Sequence, residues 1–403
     1  MPLLPDTVHD LLFRDLAPLD LYNYSKVNRE AYQSIVSFCK RAYTLKGYLL
    51  PYFTEQQVAK FRELQKELGI LIAGSTAINF FERDAREYAG SDLDLYVNHS
   101  QCQKVGAFLR KAGYHFRPRE SQLETFEANV AHVDWLTHFL FNIFAPRSAY
   151  SNPAIAGVFD FYNVADKKIQ LITSKYSPVD VVLHFHSTCV MNFITHSHAY
   201  SLYARATFGE RRSIPSRASK LYDVAARKKY HDRGWKTVGV VRDDPAVEFH
   251  DILRRVGDKH CWVIPLDHPS DNKDQSEEDE LVGSHTWKMD FFNKKNKFLM
   301  VYHIFRSPHL INNYCITEEV ADGIAKIPLG CGNNEEDDAV TLTGADIWDY
   351  DLLKLVKHLF DEDFVPRKDE GETGDDHQSV SPVRLEDLWS WFTSLSNRLI
   401  QGL

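Results

Sequence analysis

Asp92 and Asp94 stand two apart in S-D-L-D-L-Y-V (91–97), among residues that otherwise read as a buried strand. A bare buried carboxylate costs several kcal/mol. Strand alternation turns both onto one face. Two like charges that close repel, so either one holds a proton or a cation sits between them. The pair therefore suggests a divalent-cation site. The plainer alternative is that Asp92 caps a strand end while Asp94 pairs with a lysine or arginine.

Other residues invite chemistry with less support. His184-Phe185-His186 and His196-Ser197-His198 each place histidines two apart, near Cys189, but no further zinc-site spacing accompanies them. Core or surface histidines are the expected reading. The six cysteines show neither C-x-x-C nor tight spacing, which fits reduced thiols in an intracellular protein. G-x-S-x-G is absent, so a Ser-His-Asp hydrolase has no footing.

The elements around the acid pair follow from local signals. Thr54 and Gln57 form a capping-box pattern, and Val58, Phe61, Leu64 and Leu68 then recur at helical spacing up to Gly69. Ile70-Leu71-Ile72-Ala73 reads as a buried strand. Gly74-Ser75 turns it into T-A-I-N-F-F, a short helix. Sixteen residues separate Ser75 from Asp92, and residues 100–112 form the next expected helix. Residues 156–173 suggest a hairpin, with G-V-F-D-F-Y and K-I-Q-L-I as its arms.

Strand, Gly-Ser, helix, then Asp-Leu-Asp resembles the nucleotidyltransferase superfamily, which includes DNA polymerase beta, poly(A) polymerases and CCA-adding enzymes. G-S-T-A-I-N-F-F followed by S-D-L-D-L-Y-V also looks like fungal proteins built on this domain. The likeness spans about residues 55–235, and the gap before Asp92 is slightly longer than is usual there. It implies that Gly74 lets the backbone approach a triphosphate and that Ser75 donates to a phosphate oxygen. It further implies that Asp92 and Asp94 bind Mg²⁺ (or Mn²⁺) bridging the phosphates and an attacking hydroxyl. The family carries a third acid on a later strand. Here Gln170 stands in that place, an uncharged and poor Mg²⁺ ligand, which puts catalysis in question. Asp160, on the opposite hairpin arm, is the candidate substitute. It faces Gln170 if the turn is Val164-Ala165-Asp166, and the other side if the turn changes by one residue.

Residues 216–230, S-R-A-S-K-L-Y-D-V-A-A-R-K-K-Y, read as a basic helix carrying Arg217, Lys220, Arg227, Lys228 and Lys229. The resemblance implies that such a helix sends cations to the triphosphate. Arg217 and Lys220, three apart on one face, are the candidates, with Tyr222 and Tyr230 as base-stacking partners. The alternative is a solvated helix face.

The expected class is α+β: a nucleotidyltransferase-like mixed sheet flanked by helices (51–240), a helical N-terminal module (1–50), and a mainly helical C-terminal region (241–403). Acidic, polar runs at 268–280 and 366–382 read as loops. The N-terminal stretch, with its P-x-D-L helix start and V-N-R-x-x-Y, resembles an F-box, which would dock on a ubiquitin-ligase adaptor. A helical lid on the next domain is the alternative.

At 403 residues the chain is long enough for two or three domains. A formal net charge of −9 argues against general polyanion binding. No signal peptide or membrane span is expected, so cytoplasm is the default compartment and the nucleus stays open. Two functions remain. One is transfer of a nucleoside monophosphate from an NTP to an acceptor hydroxyl on RNA, a small molecule or a protein. The other is a catalytically impaired binding or F-box-type adaptor protein.

Overall fold

The computed structural model describes residues 6–83, 91–140, 152–216, 223–237, 249, 252–266, 282–292, 297–306, 310–326 and 348–360. The N-terminal part is helical: α1 (Asp6–Arg14), α2 (Pro18–Ser25), α3 (Arg29–Ala42), α4 (Leu45–Leu49) and α5 (Glu55–Leu68). Pro18 opens α2, where its missing N–H costs nothing. Asn28 caps α3 by accepting the Ala31 amide at 2.7 Å. The Thr54–Gln57 capping box is present, and Gly69 ends α5 in the left-handed region at φ 61°.

There follow β1 (Leu71–Ala73), α6 (Ser75–Glu82), β2 (Leu93–Asn98), α7 (Cys102–Lys111), β3 (His115–Arg117) and α8 (Phe126–Leu140). The hairpin is β4 (Ile155–Tyr162) and β5 (Lys168–Ser174). Next come α9 (Pro178–Leu183), β6 (Asn192–Ile194), β7 (His198–Ser201), β8 (Arg212–Ser213), α10 (Asp223–Asp232) and β9 (Lys236–Thr237). The remainder supplies β10 (Arg254–Arg255), β11 (Trp262–Pro265), β12 (Thr286–Phe292), β13 (Lys297–Val301), β14 (His303–Phe305) and β15 (Tyr314–Ile316). Helices α11 (Glu318–Lys326) and α12 (Trp348–Phe360) come last.

Eight strands form the central sheet in the order β11-β7-β6-β1-β2-β5-β4-β3. It is mixed: β2 and β5 run parallel, and the other neighbours run antiparallel. Alternation divides its two faces. Leu93, Leu95, Val97, Ile169 and Leu171 join one buried cluster with Phe61 of α5 and Val105 and Leu109 of α7. Tyr96, Ile172 and Val158 join another, with residues of α9, β12 and β13.

One expectation changes here. The C-terminal region is not mainly helical among the described residues, since β10 to β15 all lie in it and β11 extends the central sheet. Its strands are short, and T-W-K-M-D-F-F buries Trp287 and Met289 in alternation. The N-terminal helices pack against the sheet. Phe13, Leu21, Ile35, Phe38 and Tyr43 belong to the same cluster as β1, β2 and β5. Tyr43 of that segment packs its ring against Phe80 and Trp262 at centroid distances of 5.2 and 6.0 Å. Arg83 donates to the Phe13 carbonyl at 3.2 Å and to that of Leu16. The segment thus shares its core with the sheet. The expected loops at 268–280 and 366–382 lie outside the described residues, and no described helix is long and apolar enough to cross a membrane.

His285 gives a pH prediction. Its ring is buried, with Nδ1 donating to the Val282 carbonyl (3.1 Å) and Nε2 accepting from Ser177 (2.9 Å). Burial pushes its pKa down to about 4, opposed by the Val282 carbonyl and Asp180. A depressed base gives stability that is complete above its unfolded pKa, near 6.5, and lost as pH falls toward 4. We expect roughly 3 kcal/mol of pH-dependent stability from this group. Denaturant midpoints at pH 7 and pH 4.5 should fall less in His285→Gln than in the wild type, and equal falls would remove His285 as the cause.

Candidate phosphate and cation site

The site begins where β1 turns into α6. Gly74 has φ 69° and ψ −143°, a conformation that costs any L side chain 1–3 kcal/mol or so. A Cβ at this position would overlap Asp94 Oδ2. The cause is the register of the sheet: Ala73 on β1 pairs with Asp94 on β2, so the carboxylate rises directly beside the turn. The two halves of the sequence motif therefore meet in space.

The same row continues across the sheet. Asp94 neighbours Gln170 on β5, and Gln170 neighbours Asp160 on β4. The Val164-Ala165-Asp166 turn count holds, with Asn163 accepting the Ala165 and Lys167 amides at 2.9 Å each. Asp160 lies on the site face, two strands from Asp94, with both oxygens engaged. Arg119 donates from Nε and Nη2 to its Oδ2 and Oδ1 at 2.8 and 2.9 Å. Gln170 Nε2 also donates to Oδ1 at 2.8 Å. Burial raises the Asp160 pKa, but the Arg119 and Gln170 hydrogen bonds outweigh it and hold the carboxyl below its ordinary value. The catalytic role expected of Asp160 therefore meets a carboxylate already saturated with donors.

Asp92 precedes β2 and is half-exposed. Its Oδ2 lies 3.0 Å from Lys168 Nζ, which also lies 3.5 Å from Asp160 Oδ1. The plainer sequence alternative, a lysine pairing with one of the acids, is thus realised at Asp92 rather than Asp94. Main-chain tethers fix this segment: Thr76 Oγ1 donates to the Asp92 carbonyl at 3.4 Å, and Tyr52 donates to that of Ser91.

Asp94 differs. Among the described residues its carboxylate accepts no hydrogen bond and forms no ion pair. Burial, then the Asp92 charge, raise its pKa to about 7, against the pull of Lys168 and Lys229. It is a carboxylate short of positive charge.

Beyond the turn, Ser75 is the first residue of α6. Lys229 of α10 donates to its Oγ at 3.1 Å, and Tyr230 Oη lies 3.5 Å away. Burial and then Arg233 lower the Lys229 pKa, while Asp94 and Asp92 act against them. Arg217, Lys220 and Tyr222 lie outside the described residues. The basic helix does reach the site, through Lys229 and Tyr230.

Sequence reasoning passed over Lys168, Arg119 and Tyr52. Lys168 carried a usable signal, since it lies two residues before Gln170 and so shares its face. Arg119 sits in P-R-E just after β3 and carried none. Histidines of both pairs make hydrogen bonds within the protein. His184 Nδ1 bonds the Asp180 carbonyl (3.0 Å) and Tyr302 (2.8 Å), and His186 Nδ1 bonds Ser187 (2.7 Å). Among the described residues no group of three or more His, Cys, Asp or Glu side chains could hold a metal ion by itself. Asp92 and Asp94 still suit Mg²⁺, which takes one or two carboxylates and completes its shell with substrate phosphates and water. Asp94, without a hydrogen bond or ion pair among the described residues, and the side-chain-free turn at Gly74 fit that group. No known protein-family model matches the chain, and neither the curated proteins nor the solved structures yield a match.

Proposed function

We propose that this chain is a nucleotidyltransferase that binds an NTP in the Gly74–Ser75 cradle and transfers its NMP to an acceptor hydroxyl. The observation that carries this reading is the Asp94 carboxylate lying against the Gly74 turn without a hydrogen bond or ion pair among the described residues. Bare Gly74 lets the Asp94 carboxylate lie against the turn that opens α6, where the helix dipole favours a phosphate's negative charge. Ser75 Oγ, which already accepts from Lys229, has its own proton to donate to a phosphate. Lys229 then neutralises charge on the departing pyrophosphate, in the role first expected of Arg217 and Lys220. Mg²⁺ held by Asp92 and Asp94 would supply charge neutralisation at the phosphates and acidify the acceptor hydroxyl.

The test is incubation with Mg²⁺ or Mn²⁺ and each α-labelled NTP, following pyrophosphate release and label on an acceptor from RNA, small-molecule and protein pools. Lys229→Ala should weaken triphosphate binding about tenfold, or 1.4 kcal/mol, and leave nucleoside binding unchanged. Equal losses for both ligands would take Lys229 off the phosphates.

One observation favours a second reading, binding without transfer. Gln170 leaves β5 without a carboxylate, and Arg119 and Gln170 occupy both oxygens of Asp160, so the acid expected to serve the acceptor is already committed. Metal-dependent nucleotide binding with no pyrophosphate release would select it. In an adaptor of this kind the exposed Leu11 and Leu12 of α1 would face the partner. Pull-down of the ubiquitin-ligase adaptor by the full chain, lost in Leu11→Asp, tests that docking.

A further inference from the structure

Three acidic side chains, Asp92, Asp94 and Asp160, line one end of the sheet face, and a two-metal phosphoryl-transfer site would use such a set to hold ions about 3.5–4 Å apart. The described side chains arrange it differently. Lys168 Nζ stands between Asp92 Oδ2 (3.0 Å) and Asp160 Oδ1 (3.5 Å), so an ammonium spans two of the three acids. Its side chain is only 20 % exposed. Arg119 and Gln170 fill what remains of Asp160. Lys168 and Arg119 thus pair with Asp92 and Asp160, and Asp94 is the acid of the three without a hydrogen bond or ion pair among the described residues, Lys229 acting on it from farther away.

The position of Lys168 is built in. Parallel pairing of β2 with β5 sets Leu93 beside Ile169 and Asp94 beside Gln170, which brings Lys168 alongside Asp92. Its ammonium is held by contact with both carboxylates.

We propose that Lys168 is the resident cation of this cleft, so that the site takes one divalent ion with its nucleotide, centred on Asp94, and not two. This deepens the phosphate-site reading above and rests on it. Lys168 offers a fixed single charge where an exchangeable ion would otherwise bridge Asp92 and Asp160. Affinity for the second ion is then governed by this lysine and by the missing acid at Gln170.

The test is Mn²⁺ titration followed by electron paramagnetic resonance, with an NTP analogue carrying a methylene between the α and β phosphorus atoms. The wild type should hold one magnetically isolated Mn²⁺ per protein–nucleotide complex. Lys168→Gln combined with Gln170→Glu should bind a second, spin-coupled Mn²⁺ at least tenfold tighter than any second ion in the wild type. Lys168→Arg keeps the charge and should keep one ion, with circular dichroism as the control for folding. Two coupled ions in the wild type, or no second ion in the folded double variant, overturns the proposal while the phosphate site stands. A wild type that binds neither nucleotide nor Mn²⁺ removes the phosphate-site reading, and this inference with it.

Discussion

Asp94→Asn should lower Mg²⁺-dependent NTP affinity by at least about a hundredfold, close to 2.8 kcal/mol, without destabilising the fold. The first half follows from position. Asp94 is the acid beside the Gly74 turn, and among the described residues nothing else claims its oxygens. An amide keeps the shape but removes the charge that a hard divalent ion needs. The second half follows from its surroundings. Burial and the Asp92 carboxylate already disfavour the ionised form, so neutralising the side chain relieves repulsion. We expect a stability change within about 0.5 kcal/mol, or a small gain. Asp160→Asn should behave in the opposite way. It leaves Arg119 and Lys168 short of a partner, so it should cost stability first. Calorimetric titration of Mg·ATP, beside urea denaturation of each variant, checks both. A marked stability loss in Asp94→Asn with unaltered affinity would recast Asp94 as a structural residue.

Gly74→Ala should damage both properties at once. The added Cβ meets a backbone conformation reserved for glycine and overlaps the Asp94 carboxylate. Strain of this kind costs about 1–3 kcal/mol before the clash is counted. The carboxylate must move away, and it then leaves the position argued to hold the ion. We expect a loss of about 2–4 kcal/mol in stability and metal-dependent nucleotide binding below detection. Gly113→Ala is the control. It also has positive φ, at 92°, but an added Cβ there meets nothing within 4 Å. It should lose stability from strain alone and keep its affinity. Retained nucleotide affinity in Gly74→Ala would show that this turn is not the phosphate cradle.

The parts of this architecture that were legible in the chain were those written in local chemistry. Thr54 with Gln57 marks the start of α5, and Gly69 marks its end. The hairpin turn set Asp160 opposite Gln170 because two-residue periodicity leaves only two choices, and Asn163 selects one by accepting the turn amides. Gly74 and Asp94 were recognisable as one motif only through their ordered spacing, and β1–β2 pairing is what joins them. What escaped notice depends on contacts between distant segments. Arg119 reaches Asp160 across 41 positions. Lys229 reaches Ser75 across 154. The C-terminal strands were missed because runs as short as Arg254–Arg255 carry almost no period, and their partners lie elsewhere in the chain. Likewise, the N-terminal helices display ordinary amphipathic spacing, which cannot say whether the apolar side covers its own module or the neighbouring sheet. Here Tyr43 and Phe13 show that it covers the sheet domain's core.

The central claim is that the Asp94 carboxylate contacts a divalent ion that also contacts the nucleotide. Electron–nuclear double resonance on bound Mn²⁺, using protein with ¹³C-labelled aspartate carboxylates and a non-hydrolysable NTP analogue, observes that contact. The account predicts both ³¹P and ¹³C couplings of direct ligation, with a ¹³C coupling lost in Asp94→Asn. Mn²⁺ and nucleotide bound together with no aspartate coupling, or with a coupling unchanged in that variant, would contradict it.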